Sequence, residues 1–358
     1  MEQSMSNANT SGSITWQSPS NIALIKYWGK KGFQLPANPS LSITLSESFT
    51  ETTINYTPTT KGKLSKLDFF FEGKTNEAFK SKIKKYIDVI KDEMTFLNDF
   101  DLVISSRNTF PHSAGIASSA SAMSALALCL CSIELQLNGG GEHSETFYRR
   151  ASYFARIGSG SAARSVYAKF SLWGEHKLLS GSSDEFAIPL KSKVHPVFEG
   201  FRDTILIVSS GEKSVSSRAG HSLMDNNPFA AARYNQAGDN LLKLLGALEK
   251  GDLDSFIQIT ENEALTLHGM MMASMPGYTL MEPNTLEILR RVKDFREQTG
   301  AKLCFTLDAG PNVHLLFPAQ DAIIVEKFIK SDLQKFCVNN LWIEDKMGMG
   351  PKRIFDHE

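Results

Sequence analysis

The sequence has no surplus of either charge: 38 Lys and Arg stand against 39 Asp and Glu, a formal net charge of −1. Proteins that hold nucleic acid through its phosphates normally carry a basic excess, so no nucleic-acid partner is expected. Any anion must be met by a locally built site. Cysteine is scarce. Cys129 and Cys131 are one residue apart in an apolar stretch, and Cys304 and Cys337 stand alone. These spacings fit neither a CxxC redox pair nor a zinc knuckle, and reduced core cysteines are the expectation. No window reaches the roughly eighteen apolar residues of a membrane span. The opening stretch MEQSMSNANTSGS lacks the apolar core of a signal peptide. The expectation is a soluble, cytoplasmic chain with no membrane partner and a disordered tail over residues 1–13. There is no internal repeat, and the Gly-Lys-Ser/Thr ending of a Walker A loop is missing.

What is present is a globular composition: 358 residues, 42 % of them apolar, enough for two domains. Residues 42–45 and 52–56 alternate polar and apolar side chains, the period of half-buried strands. Residues 67–71 read as another strand, closed by a turn at Glu72-Gly73-Lys74. Over residues 76–97 apolar side chains recur at helical spacing (Phe79, Ile83, Tyr86, Ile87, Ile90), with lysines on the wet face. A strand at 102–105 leads into the small-residue run GIASSASAMSALALCLCSIEL, a proline-free helix. A helix over 145–156 follows, then the turn Gly158-Ser159-Gly160-Ser161, then a helix over 162–169. Strands are expected at 170–173, 204–208, 303–307 and 313–317, and long helices at 228–249, 252–268 and 283–299. Strands and helices mix without strict alternation, which predicts an α+β fold. The division falls into residues 14–200 and 201–358.

Two small-residue turns are candidate anion sites. In residues 111–120, Gly115, Ala117, Ser118, Ser119 and Ala120 let the backbone approach a ligand closely where a helix begins. A helix start offers unpaired N–H groups and partial positive charge, the arrangement that holds phosphate. Ser118 and Ser119 add hydroxyls for phosphate oxygens or Mg²⁺. No protein-only metal cage is expected. A tightly packed helix needing small side chains reads the same residues equally well. The second turn, Gly158 to Arg164, joins exposed amides and serines to an arginine whose planar fork fits carboxylate or phosphate. A helix cap beside a surface arginine is its plainer reading.

Ser18-Pro19-Ser20-Asn21-Ile22-Ala23-Leu24-Ile25-Lys26-Tyr27-Trp28-Gly29-Lys30 resembles the N-terminal signature of mevalonate diphosphate decarboxylases. Residues 111–120 resemble the phosphate loop of the wider galactokinase, homoserine kinase, mevalonate kinase and phosphomevalonate kinase superfamily. Gly158–Arg164 and Thr306-Leu307-Asp308-Ala309-Gly310-Pro311-Asn312 resemble two further decarboxylase signatures, in the family's order. The resemblance spans residues 14–352.

It implies an N-terminal domain like the second domain of ribosomal protein S5, a ferredoxin-like C-terminal domain, and a cleft between them. It further implies ATP with Mg²⁺, a mevalonate 5-diphosphate substrate, decarboxylation to isopentenyl diphosphate, and a homodimer. The implied catalytic residues are Asp308, Lys26 and Arg164, with ATP at Gly115, Ala117, Ser118, Ser119 and Ala120. The implied substrate contacts are Asn21, Tyr27, Trp28, Gly29, Lys30, Ser159, Gly160, Ser161, Ala162, Ala163, Arg164, Ser217 and Arg218. This sequence departs from the family pattern at His112, Arg218 and His221. It also lacks a diphosphate-binding arginine near Glu77–Lys80, for which Arg218 or Lys74 are the substitutes. A phosphomevalonate decarboxylase or mevalonate 3-kinase of the same fold, and a non-catalytic homologue, are the rival readings.

Overall fold

Alternation carries the longest strand: from Glu47 onward the residues of β4 switch between sheltered and open positions, while Ser40–Leu45 are buried on both faces. The doubly buried portion marks where a second layer covers the first sheet. The structure, a computed structural model, describes residues 10–59, 66–111, 116–140, 144–211 and 214–355. The first half contains β1 (Gly12–Ile25), a small hairpin of β2 (Lys30–Lys31) and β3 (Leu35–Pro36), β4 (Ser40–Pro58), β5 (Leu67–Phe71) and β6 (Lys74–Thr75). It continues with α1 (Glu77–Ile90), β7 (Phe100–Asn108), α2 (Ser118–Leu137), α3 (Glu145–Gly158), β8 (Phe170–Trp173) and β9 (Ala187–Pro189). The second half contains β10 (Arg202–Leu206), α4 (Ser217–Ser222), α5 (Ala230–Lys250), α6 (Leu253–Met272) and α7 (Pro283–Thr299). It ends with β11 (Cys304–Thr306), β12 (Val313–Phe317), α8 (Ala322–Phe328), β13 (Trp342–Lys346) and β14 (Lys352–Ile354).

The first sheet runs β14-β1-β4-β7-β5-β6, with β8 on β4 and β9 on β8. The pairing of β5 with β7 is parallel and the rest are antiparallel. The second sheet is antiparallel in the order β11-β12-β10-β13. Counting only its own strands, that is second-third-first-fourth, the order of a ferredoxin-like unit. The two sheets are joined through the connection after β9, and β14 returns to the first sheet to pair with Thr15–Gln17. Within the expected tail, residues 1–9 lie outside the described residues, and Gly12 already pairs with Tyr56.

Helix α2 is long and apolar enough by composition to cross a membrane, yet most of it is buried here as a core helix. All four cysteines are free and buried, and burial raises each thiol above its usual range, Cys337 to about 11. A second apolar cluster joins the halves: Leu41, Ile43 and Leu45 of β4 pack with Ile205, Leu241 and Phe256. The helix expected over 162–169 is instead a 3₁₀ turn, Gly160–Val166. The glycine-serine turn before it and β8 just after it leave room for little more than two tight turns.

Candidate active site

Strand β1 leaves its ladder at Ile25, so Lys26 stands just past the last paired residue. Its side chain is almost wholly buried, and its Nζ lies 3.1 Å from Asp308 Oδ1, in the turn between β11 and β12. Burial lowers the Lys26 pKa, and the Asp308 charge opposes that shift. His268 of α6 sets its Nε2 3.1 Å from the Asp308 carbonyl oxygen, holding the turn from behind.

Arg164 is 3 % exposed. Its Nε donates to Asn21 Oδ1 (3.2 Å) and Ser42 Oγ (3.1 Å), and its Nη1 to Ser40 Oγ (2.7 Å). Every one of these acceptors is neutral. Among the described residues no carboxylate lies within 4.0 Å of it. Burial lowers its pKa to about 10, and Asp308, the largest opposing influence, is near enough to favour the charged form. The 3₁₀ turn explains the aim of this side chain. Residues three apart eclipse in that geometry, so Ser161 and Arg164 share one side. Asn21 bridges both, donating to the Ser161 carbonyl and accepting from Arg164.

Tyr27, His221 and Trp28 form a stack in which His221 lies 4.4 Å from each neighbouring ring. The Tyr27 hydroxyl and the Trp28 indole nitrogen are buried without a hydrogen-bond partner among the described residues. Gly29 has φ +95° and donates its N–H to His221 Nδ1 at 3.0 Å, which puts the imidazole proton on Nε2. A side chain at Gly29 would run into Tyr234, and one at Gly160 into Trp173 and Tyr27. Lys30 donates to Gln34. Burial and the nearby Arg218 both lower the Lys30 pKa. Arg218, exposed on α4 beside Ser217, is thus close enough to act on Lys30.

The start of α2 stands next to this group. Ala117 is left-handed (φ +43°); the Ala120 N–H donates to its carbonyl, and among the described residues no side chain caps the N–H groups of Ser118 and Ser119. Ser118 is partly exposed, Ser119 is exposed, and Ala120 is fully buried in the core. Ser119 Oγ lies 3.2 Å from Ser159 Oγ, so the two small-residue turns meet. Gly115 and His112 lie outside the described residues.

Not every candidate reaches the cleft. Ala162 and Ala163 are 0 % exposed and belong to the first hydrophobic core. Their small side chains let the 3₁₀ turn pack closely, so any contact they make with a ligand falls to their backbone. Helix α1 supplies no arginine, and its Lys80 is engaged by Asp68 at 3.2 Å. Lys74 sits on β6, at the sheet edge away from β1, which leaves Arg218 as the cation beside Lys30. Sequence reasoning missed His221 as a wall of the site, His268, and the pair Arg233–Glu263 behind Lys26. Only the first gave a signal, as a departure from the family pattern. Among the described residues no group of three or more His, Cys, Asp or Glu gathers for a metal.

Buried Lys26 and Arg164 close to the Asp308 carboxylate, near the start of α2 and where two α+β halves pack together, suit an enzyme built for a phosphorylated acid. Residues 18–186 match the family model described as diphosphomevalonate decarboxylase-like N-terminal domain, and residues 204–350 that of the mevalonate 5-diphosphate decarboxylase C-terminal domain. The chain belongs to the diphosphomevalonate decarboxylase family. The Schizosaccharomyces pombe diphosphomevalonate decarboxylase is 27 % identical over 87 % of this chain and 80 % of its own. The crystal structure of mevalonate diphosphate decarboxylase from Staphylococcus aureus is similar with TM-score 0.82, 30 % identity, and coverage of 97 % and 99 % of the two chains. A structure of MDDEF in complex with MVAPP, AMPPCP and magnesium gives TM-score 0.81, 28 % identity, and coverage of 96 % and 99 %.

Proposed function

We propose that this chain uses ATP to convert mevalonate 5-diphosphate to isopentenyl diphosphate, releasing ADP, phosphate and CO₂, and that Lys26, Arg164 and Asp308 carry the reaction. The observation that carries the reading is the buried Arg164 guanidinium, which has only neutral acceptors among its side-chain partners. A desolvated cation of this kind is completed by an anionic ligand, and a substrate carboxylate fits its fork.

Asp308 accepts and orients the proton of the tertiary 3-hydroxyl. Lys26, at 3.1 Å, keeps Asp308 ionised and offsets charge that develops during transfer. Arg164 holds the carboxylate so that the C–C bond is aligned to break as the 3-phosphate departs. The freed electron pair becomes the new double bond. Lys30 and Arg218 take the diphosphate, with Ser217, Ser159, Gly160 and Ser161 along its sides and Asn21 fixing Arg164. The unpartnered Tyr27 hydroxyl and Trp28 indole donate to substrate oxygens. The open N–H groups of α2, with Ser118, Ser119, Ala117 and the Gly115 turn, hold the ATP phosphates. Mg²⁺, found with AMPPCP in the related complex, would be held with the nucleotide beside Ser118 or Ser119 and would neutralise phosphate charge when bound. Residues 14–200 and 201–358 act as the two walls of the cleft. The working form is a cytoplasmic homodimer, a reading supported by the family resemblance and checked by light scattering.

The test is mass spectrometry of the product from 5-diphosphomevalonate and ATP, with CO₂ measured alongside. Isopentenyl diphosphate and CO₂ in equal amounts are expected. A phosphorylated product without CO₂ reduces the activity to a kinase, and preference for mevalonate 5-phosphate removes the role given to Lys30 with Arg218.

A further inference from the structure

Behind Lys26 lies a salt bridge whose two side chains are completely buried, Arg233 of α5 with Glu263 of α6. Glu263 Oε2 accepts the Lys26 backbone N–H at 2.9 Å, and Arg233 Nη2 donates to the Lys26 carbonyl at 3.1 Å. The Glu263 Oε1 atom accepts from Arg233 Nη1 (2.9 Å) and Asn240 Nδ2 (2.7 Å), so both carboxylate oxygens are engaged. Asn38 Nδ2 also donates to the Lys26 carbonyl, at 3.0 Å. One residue past the end of β1, the Lys26 peptide has no ladder partner, and this pair grips it at both ends.

Stability does not explain the pair. Burying two charges is costly, and an apolar pair of similar volume is often as stable. Two apolar side chains, however, could not hold a peptide N–H and its C=O together. We propose that Arg233–Glu263 is a positioning device, reaching across from the second half to fix the backbone of Lys26 and so aim its ammonium at Asp308. The proposal rests on the role given to Lys26 above.

Three variants of the full-length enzyme test it, each assayed with 5-diphosphomevalonate and ATP. Glu263→Gln keeps an acceptor for the Lys26 N–H but loses the charge. The double variant Arg233→Met/Glu263→Leu removes the grip without leaving a lone buried charge. We expect the double variant to stay folded but melt lower than the wild type, because the Lys26 N–H and the Asn240 amide lose their acceptor. Assayed well below that melting point, it should show kcat lowered about 10²-fold with both KM values within about threefold. Glu263→Gln is expected to lose less, and to lose kcat at lower pH on the alkaline side. The charges acting on the ammonium are Asp308 and Glu263, which favour it, and Arg164, which opposes it; Asp203 on β10 also feels it. Only Glu263 changes in the variant, so a shift of the alkaline limb reports its charge rather than altered packing. Wild-type kcat in the folded double variant overturns the proposal. Should that variant not fold, wild-type kcat with an unmoved alkaline limb in Glu263→Gln overturns it equally. Lys26→Met separates the two readings: full turnover there removes Lys26 from the mechanism whatever the pair does.

Discussion

Asp308 is the carboxylate that both buried cations feel, in contact with Lys26 and favouring the charged form of Arg164. Asp308→Asn keeps the shape of the turn and removes the proton acceptor. Turnover should fall about 10³-fold or more, with ATP affinity and melting temperature near wild type; unchanged turnover takes Asp308 out of the reaction. Arg164→Met removes a buried charge that has no ionic partner in the free protein. The fold should therefore lose little, while the release of CO₂ drops about 10²-fold, a contrast read by pairing calorimetry with gas release. His221 offers a pH test. Burial lowers its pKa to about 3, Lys30 adds to the shift, the Gly29 N–H bond opposes it, and the ring packs against Tyr27 and Trp28. The unfolded chain binds the proton near pH 6.5 and the folded one does not until about pH 3. Between those values the unfolded state holds more protons, so stability contributed by neutral His221 is complete above 6.5 and is lost as pH falls through that window. His221→Phe should consequently close part of the melting-temperature gap between pH 7.5 and pH 5, and an equal gap in both proteins would contradict this. Lys26, Arg164 and Asp308 were legible as candidates because each sits in a local motif, and the fold brings Asp308 against Lys26 and within electrostatic reach of Arg164. His221 was noticed only as an oddity, and Glu263 not at all, since its partner Lys26 is 237 positions away and a helix charge ordinarily reads as wet surface.

At the scale of elements, periodicity carried most of the fold. The strand at Val313–Phe317 and the helix at Pro283–Thr299 fall where apolar spacing predicts them. What spacing could not supply was the winding of Gly160–Val166, because a 3₁₀ turn and a short α-helix share the same small, polar residues. The start of α2 shows how an element end becomes a site. Ala117 holds a left-handed conformation that a β-branched residue strongly resists, and it stands at the start of α2, where the proposed ATP phosphates would lie. Ala117→Gly should leave stability and the KM for ATP nearly unchanged. Ala117→Val should cost about 1–3 kcal/mol and raise that KM roughly tenfold. Equal nucleotide affinity in both variants, measured by titration calorimetry, would separate the backbone bend from ATP binding.

For the whole molecule the decisive fact is that the proposed catalytic groups are divided: Lys26 and Arg164 belong to the first half and Asp308 to the second, so on this proposal the alignment of two sheets sets the active geometry. The second apolar cluster joins the halves without direction, as hydrophobic contact does. Direction comes from Asp345 of β13. Its Oδ1 accepts the backbone N–H groups of Ser46 (2.8 Å) and Glu47 (2.9 Å), and its Oδ2 that of Ser48 (2.8 Å), all on β4. These three bonds pin the sheet that carries Asp308 to the sheet that carries Lys26, and the side chain making them is 4 % exposed. Asp345→Ala should cost about 2–4 kcal/mol, because charge-assisted bonds are lost and the Ser48 donor is left buried. As a control, Asp294 forms only an exposed pair with Arg290, and its replacement by alanine should stay within about 0.5 kcal/mol. If the stitch aligns the cleft, Asp345→Ala measured well below its melting point should also lose kcat, whereas Asp294→Ala should not. Loss of stability with full kcat would mean that the apolar seam alone keeps the two sheets in register, and that the carboxylate on β13 holds the fold without guiding the reaction.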